Sequence, residues 1–234
     1  MVWGIIAALP EEIDLLITQM RITDTKTLSG YRFYSGTIGL RQLVAVSCGG
    51  GKINAAVCTA LLIHEFEAKN IVSIGVSGSL SGELKVFDIV LASETVYHDD
   101  DPKFTLSQPP YLPVYITDKM LLERCRIIAD NIIMDENFSI RTGRVASGSR
   151  FISKNDEKSE IASRTGALCV DMWGAAAAQT AALFDTPFLA IRCISDDIDG
   201  EIDNDFEKYF KAAAEQPCHI LLEMLTAASG YRSR

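Results

Sequence analysis

Charged side chains stand at the end of a buried, strand-like segment late in the chain. Arg192 and the adjacent pair Asp196 and Asp197 follow the apolar run 187–191, with Ser195 between them. Two carboxyl groups held side by side resist being ionised together, because their negative charges repel each other. A carboxyl that keeps its proton can act as a general acid near neutral pH. The alternative is structural, since an aspartate can cap a turn and pair with Arg192. This segment alone does not decide between the two.

Four further segments place chemically useful groups after strand-like runs. They are Glu11-Glu12, Gly75-Val76-Ser77-Gly78-Ser79, Ser149-Arg150-Phe151-Ile152 and Asp171-Met172-Trp173. In a sheet with helices on both faces, ligands bind outside the carboxyl ends of the strands. The five segments could therefore converge on one pocket.

Two glycine-rich segments are only superficially like phosphate-binding loops. The segment 75–79 lacks the Gly-Lys-Ser/Thr ending of a P-loop, so it indicates close approach of the backbone to some ligand. Gly49-Gly50-Gly51-Lys52 is equally ambiguous, because a tight strand-to-helix turn uses the same glycines.

No metal or other cofactor is expected. His98 is followed by three successive acids, but acids before a proline usually form a solvated loop. The six cysteines are scattered, are never spaced as C-x-x-C, and mostly lie in apolar runs. This pattern predicts buried free thiols rather than zinc ligands or disulfides.

Alternating strand-like and helical segments predict the elements that position these groups. Strands are expected at 2–8, 31–37, 42–48, 70–75, 88–97, 139–147, 167–172 and 187–194, the second and third forming a hairpin across Gly39. Helices are expected from Pro10 and over 52–66, 118–131, 153–163, 174–184 and 203–226, with a proline-rich loop at 99–113. The order predicts one α/β domain over 1–234, a three-layer sandwich whose mixed, mostly parallel twisted sheet is flanked by helices.

Composition narrows the classes of function. The 234 residues are 48% hydrophobic, enough for one apolar core, which excludes a disordered chain. The net charge of -9 argues against a nucleic-acid partner, because phosphate binding needs a basic face. We find no apolar run as long as a membrane span and no recognisable leader peptide, so we expect a cytoplasmic protein with no membrane partner.

Several of these segments together resemble the bacterial 5′-methylthioadenosine/S-adenosylhomocysteine nucleosidases of the purine nucleoside phosphorylase and nucleosidase superfamily. The resemblance spans nearly the whole chain. It is carried by short motifs in matching order and spacing, at 4–8, 11–12, 49–56, 75–80, 84–90, 97–99, 147–152, 170–172 and 192–196. It implies a nucleoside phosphorylase-like fold, a homodimer, and hydrolysis of the bond between adenine N9 and ribose C1′ without a cofactor.

The resemblance also implies roles for individual residues. Asp196 would protonate adenine N7 with Ser195 orienting it, and Glu12 would activate water with the help of Arg192. Phe151 would stack on the adenine while the backbone of Ile152 reads its Watson–Crick edge. The other contacts to the purine nucleoside, chiefly around the sugar and the 5′-substituent, are expected from Met172, Trp173, Val76, Gly78 and Phe206.

The chain departs from the family pattern at two positions near the sugar. The pattern after Val170 is acid-Met-Glu, and that glutamate binds the ribose hydroxyls. Trp173 stands in its place and cannot accept a hydrogen bond. Val76 replaces a serine of the glycine-rich loop.

Three interpretations stay open. The chain is a nucleosidase with an altered sugar site, a phosphorylase of the same fold, or a catalytically silent nucleoside-binding protein. The phosphorylase has least support, because segments 7–10 and 71–76 contain no arginine where the resemblance would place phosphate ligands.

Overall fold

Strands and helices alternate along most of the chain, as the sequence predicts. The computed structural model describes residues 1–80, 82–132, 138–196 and 202–227, the side chains of 202–208 excepted. The strands are β1 (Val2–Ala7), β2 (Arg21–Leu28), β3 (Tyr31–Ile38), β4 (Arg41–Ser47), β5 (Ala68–Ser79), β6 (Ile89–Tyr97), β7 (Tyr115–Ile116), β8 (Ile140–Ser147), β9 (Ala167–Asp171) and β10 (Phe188–Asp196). The helices are a short 3-10 helix (Pro10–Glu12), α1 (Asp14–Gln19), α2 (Lys52–His64), α3 (Pro102–Ser107), α4 (Lys119–Ile132), α5 (Asn155–Thr165), α6 (Gly174–Leu183) and α7 (Ile202–Thr226).

The strands form one mixed sheet that partly closes on itself. Within the described ranges the strand order is β10-β6-β8-β9-β5-β1-β4-β3-β2, with β7 beside β6. β5 is long enough to pair in parallel with β1 and β10 and, at its end, antiparallel with β9. β10 also pairs with β6, so β5, β10, β6, β8 and β9 form a closed ring. One strand, β5, thus contacts both β9 and β10.

Helices cover both faces of the sheet, which confirms the predicted α/β sandwich. Ile5 and Ile6 of β1 are adjacent, fully buried and directed to opposite faces, because side chains alternate along a strand. Ile6 packs in the apolar core that includes α2 and α6, and Ile5 packs in the core that includes α1, α4 and α7. In the described part of the chain, no helix combines the length and apolar character needed to cross a bilayer.

Several elements differ from the prediction, including the short strand β7 and the break between the 3-10 helix and α1, and most clearly β2 and α3. The sequence predicts no strand at 21–28, yet β2 pairs with β3 along its length at the edge of the sheet. Its side chains are almost all exposed, so it lacks the apolar face by which a strand is recognised in a sequence. The predicted loop 99–113 contains the short helix α3, which Asp101 caps by accepting the Lys103 N–H at 2.8 Å.

The six cysteines are buried and free, as predicted. Burial raises the pKa of the Cys58, Cys125 and Cys169 thiols to about 12. These thiols therefore stay protonated and unreactive near neutral pH.

Candidate active site

The predicted segments meet around a cavity of about 460 Å³, a volume typical of small-molecule sites. The predicted site residues that line it are Glu12, Val76, Gly78, Phe151, Ile152, Met172, Trp173, Ser195 and Asp196. The other lining residues are Ala8, Leu9, Gly49, Gly50, Gly51, Ser77, Arg150, Val170, Asp171 and Phe210. A second cavity of about 370 Å³ lies against α1 and β3 and includes none of the predicted site residues.

Glu12 is held at the cavity wall by backbone N–H groups. It ends the 3-10 helix after β1 and is 1% exposed. Its Oε2 accepts hydrogen bonds from the N–H groups of Ala8 and Leu9, each at 2.8 Å, and its Oε1 accepts one from Val76 at 2.8 Å. Gly75 permits this approach, because a Cβ at that position would clash with Oε1. A carboxylate offers about four acceptor sites, so Oε1 can accept a further hydrogen bond from a water molecule.

The surroundings of Glu12 also change its affinity for a proton. Burial raises the pKa of this carboxyl above its usual value of 4.5, while the backbone N–H groups and the positive charge of Arg192 act in the opposite direction. A carboxylate with a raised pKa is a stronger base than an exposed one.

Arg192 forms a buried ion pair with Asp171. Its Nε donates to Asp171 Oδ2 at 2.9 Å, and neither side chain is more than 2% exposed. Its Nη1 and Nη2 donate to the carbonyl and hydroxyl of Ser73 at 3.0 and 2.8 Å. Asp171 Oδ1 accepts the N–H groups of Trp173 and Gly174, where α6 begins. Arg192 thus joins β5, β9 and β10, and it acts on Glu12 through its charge.

Asp196 lies at the end of β10 and is 1% exposed. Ser195 Oγ donates to its Oδ1 at 3.2 Å, and Lys158 Nζ donates to its Oδ2 at 3.1 Å. Gly78 of β5 lies against the carboxylate, since a Cβ there would be 3.1 Å from Oδ2. A side chain at this position would be tighter than usual against the carboxylate, so glycine suits the close approach of β5. Asp197, the residue that follows Asp196 in the sequence, is outside the described residues.

The segment after β8 forms the mouth of the cavity, where Phe151 is 51% exposed. Asp99 holds this segment by accepting the Ser149 N–H at 2.7 Å, and its other oxygen accepts Lys52 Nζ at 2.6 Å. Lys52 follows the glycines 49–51, which all have positive φ and all line the cavity. These glycines therefore serve as both a strand-to-helix turn and a cavity wall.

The sequence predicts no role for several residues at or beside the cavity, among them Asp171, Phe210 and Lys158. Asp171 stands at a recognised strand end, but its buried partner Arg192 comes from another strand. Phe210 lines the cavity, whereas the side chain of the predicted Phe206 is outside the described residues. Residues four apart lie on the same face of a helix, so the sequence was sufficient to suggest Phe210 as an alternative to Phe206. Lys158 carries no such signal, because a lysine in a charged helix is usually solvated.

Nearly all of the chain matches one family of proteins. Residues 3–226 match a family model described as the phosphorylase superfamily. A 5′-methylthioadenosine/S-adenosylhomocysteine nucleosidase from Staphylococcus carnosus is 34% identical over 229 residues, which cover 95% of this chain and 98% of the relative. The chain belongs to this nucleosidase family.

Solved structures similar to this chain have the same fold. The nucleosidase from Colwellia psychrerythraea, in complex with adenine, is 30% identical with a TM-score of 0.88, covering 96% of this chain and 94% of that one. A futalosine hydrolase from Helicobacter pylori is 25% identical with a TM-score of 0.87, covering 95% and 96%. These matches confirm the resemblance that the motifs carry.

Trp173 is the main departure from the nucleosidase pattern, and the structure buries it. The side chain is 3% exposed and lines the cavity. Its ring lies 4.7 Å from the central carbon of the Arg192 guanidinium, a cation–π contact. An aromatic ring in contact with a buried arginine therefore lies at the position where the motif resemblance leads us to expect a carboxylate. Val76 and Met172 add further apolar surface.

Proposed function

We propose that this chain hydrolyses the N-glycosidic bond of an adenine nucleoside, such as 5′-methylthioadenosine or S-adenosylhomocysteine, and releases adenine. The observation that carries the proposal is a cavity of nucleoside size whose lining includes the buried carboxyl groups of Glu12 and Asp196, each with its own set of hydrogen-bond donors. Two carboxyls in different surroundings can take the separate roles of base and acid that this hydrolysis needs. Membership of the nucleosidase family supports the same reaction.

Asp196 is the proposed general acid. A purine leaves its sugar more readily when N7 is protonated, because the bonding electrons of the C1′–N9 bond then enter a neutral leaving group. Ser195 holds one carboxyl oxygen of Asp196 and Lys158 holds the other. The carboxyl is thus fixed in direction before the substrate arrives, as an effective proton donor must be.

Glu12 is the proposed base. Its three backbone hydrogen bonds fix the carboxylate, and Oε1 can orient a water molecule toward C1′. The charge of Arg192 favours the ionised form of Glu12, which is the form that accepts a proton from water. Arg192 therefore assists Glu12 through its positive charge rather than through a hydrogen bond.

The remaining contacts orient the substrate. We assign Phe151, at the cavity mouth, to stacking on the adenine and the backbone of Ile152 to its Watson–Crick edge, since both residues line the cavity. Met172, Trp173 and Val76 offer an apolar wall to the sugar and the 5′-substituent. Gly78 allows the substrate to approach the backbone of β5 and Asp196. We assign Phe206 to the 5′-substituent from the family resemblance alone.

The deciding experiment is an assay for free adenine. The purified chain is incubated with methylthioadenosine, S-adenosylhomocysteine and 5′-deoxyadenosine, each with and without inorganic phosphate, and the products are separated by chromatography. Release of adenine without phosphate supports hydrolysis. Release that requires phosphate identifies a phosphorylase. Binding without any release identifies a silent nucleoside-binding protein and overturns the proposal.

Trp173 favours one variation on this function, a substrate with an altered sugar. An aromatic ring cannot accept hydrogen bonds from the ribose hydroxyls. A nucleoside with fewer hydroxyls or a different 5′-group therefore fits this wall better than an unmodified ribose. The similar structure of a futalosine hydrolase indicates that this fold serves more than one type of nucleoside.

The raised pKa of Glu12 predicts the acid side of the pH profile. Because only ionised Glu12 can accept a proton, kcat/KM falls as the pH is lowered through its pKa. Since burial raises that pKa, we expect the midpoint of the fall above pH 4.5. A pH series of initial rates on methylthioadenosine, with the fold followed by circular dichroism, measures it. Full activity at pH 4.5 in a folded protein would contradict the assignment.

Replacing Trp173 with glutamate tests the sugar site. Trp173→Glu places a hydrogen-bond acceptor beside Arg192, so we expect turnover of ribonucleosides to rise at least about tenfold, equivalent to about 1.4 kcal/mol in the barrier. Trp173→Gln is the matched control, because it has nearly the same size without the charge and should gain less. An unchanged rate in both variants would mean that the sugar is held in another way.

We further propose a cytoplasmic homodimer that serves methionine salvage. Six free buried cysteines are typical of a reducing compartment. On α2, Ile53 is 80% and Val57 is 37% exposed, which gives this helix an apolar outer face suited to a second copy of the chain. The net charge of -9 disfavours a nucleic-acid partner. Sedimentation velocity measures the oligomeric state.

A further inference from the structure

Lys158 is a buried cation next to the proposed general acid. It lies on α5, and its Nζ is 3.1 Å from Asp196 Oδ2, with side-chain exposures of 1% and 2% for the two residues. Lys158 does not belong to the cavity lining, whereas Asp196 does. The ammonium therefore contacts the Asp196 carboxyl from the side that faces away from the cavity.

A buried lysine needs a specific reason. Removing an ammonium from water costs several kcal/mol, and a buried ion pair is often no more stabilising than apolar side chains of the same size. Methionine has a similar length and would fill this place without that cost. Lys158 contacts a carboxyl that lines the cavity, so we expect it to act in the site and not only in stability.

The rest of the Asp196 environment leaves the carboxyl little freedom. Ser195 Oγ donates to Oδ1, and the backbone of Gly78 lies against the group. Helix α5 itself is tied to the mouth of the cavity, because Arg150 forms an ion pair with Glu157, the residue before Lys158. Lys158 therefore links the segment that carries Phe151 to the carboxyl of Asp196.

We propose that Lys158 is the positioning residue of Asp196, an inference that rests on the proposed function. In the reaction, the O–H bond of the Asp196 carboxyl breaks, an N–H bond forms at N7, and the electrons of the C1′–N9 bond pass to the purine. Asp196 becomes a carboxylate in this step. The ammonium of Lys158 stabilises the negative charge that forms and keeps Oδ2 turned away from the cavity. Its effect is therefore larger in the transition state, where this charge is forming, than in the substrate complex, where the carboxyl is neutral.

The test compares Lys158→Met in two backgrounds. In the wild-type background we expect kcat on methylthioadenosine to fall at least about tenfold with KM changed less than about threefold, because the interaction is made in the transition state. In an Asp196→Asn background there is no carboxylate to stabilise, so the same substitution should cause no further loss. The double variant removes both members of the Lys158–Asp196 pair together, and circular dichroism checks that each variant is folded before its rate is compared.

Lys154→Met is the matched control, since Lys154 precedes α5 and is exposed. Its activity should equal that of the wild type. Equal losses from Lys158→Met in both backgrounds would show a purely structural role and overturn the inference, as would wild-type activity in Lys158→Met. A wild-type chain that releases no adenine would instead overturn the proposed function, so the two failures are distinguishable.

Discussion

Asp196→Asn is expected to lower the rate of adenine release at least about a thousandfold, within the range that general acid catalysis contributes. The amide keeps nearly the shape of the carboxyl, but its N–H groups are far too weakly acidic to transfer a proton to N7. Binding of methylthioadenosine, measured by calorimetry, should stay within about threefold of the wild type, because the cavity and Phe151 are unchanged. A large loss of rate with little loss of affinity would show that Asp196 acts in the chemical step and not in substrate binding.

The control for this variant is Asp130→Asn, whose carboxylate lies on the surface of α4 in an exposed ion pair with Arg126. It should leave turnover unchanged. Because the asparagine leaves Lys158 without its carboxylate partner, the melting temperature is measured in parallel and rates are taken well below it. Wild-type turnover in Asp196→Asn would remove this residue from the mechanism.

Asp171→Ala is expected to destabilise the fold by about 3 to 5 kcal/mol, the usual cost of leaving a buried charge without its partner. Arg192 would remain fully buried at the centre of the ring of strands with its Nε unpaired. The N–H groups of Trp173 and Gly174 would also lose their acceptor at the start of α6. Urea unfolding at fixed protein concentration measures the change in the free energy of unfolding.

Asp130→Ala is the matched case at the surface. It also breaks an aspartate–arginine pair, but both side chains are about half exposed, at 53% and 47%. Water replaces the lost contact there, so the urea midpoint should hardly move. Equal effects at positions 171 and 130 would show that burial of the Asp171–Arg192 pair has no energetic consequence.

The sequence is sufficient to predict most of the fold, because the buried strands and the helices between them have strong hydrophobic patterns. It fails at β2, whose side chains are almost all exposed and whose pairing with β3 depends on backbone hydrogen bonds. It also fails at α3, a helix of 6 residues whose capping residue and first proline, Asp101 and Pro102, are visible in retrospect.

The candidate site was predictable where the chemistry lies at strand ends. Glu12 and Asp196 follow buried strands, and the structure places both on the wall of the same cavity. The partners of such residues are harder to predict, since they come from distant parts of the chain. The sequence leaves open a pair between Arg192 and a neighbouring aspartate, but the structure pairs Arg192 with Asp171, which lies on β9. Lys158 reaches Asp196 from α5, 38 residues away.

The length of β5 fixes the scale of the site. Gly75 makes room for Glu12, and Gly78 makes room for Asp196. Three steps along an extended strand measure about 10 Å. Both carboxyls lie against one continuous strand that is paired on both sides, so the backbone of β5 holds them in place rather than a loop. A change in their separation would require β5 itself to shift against its neighbours.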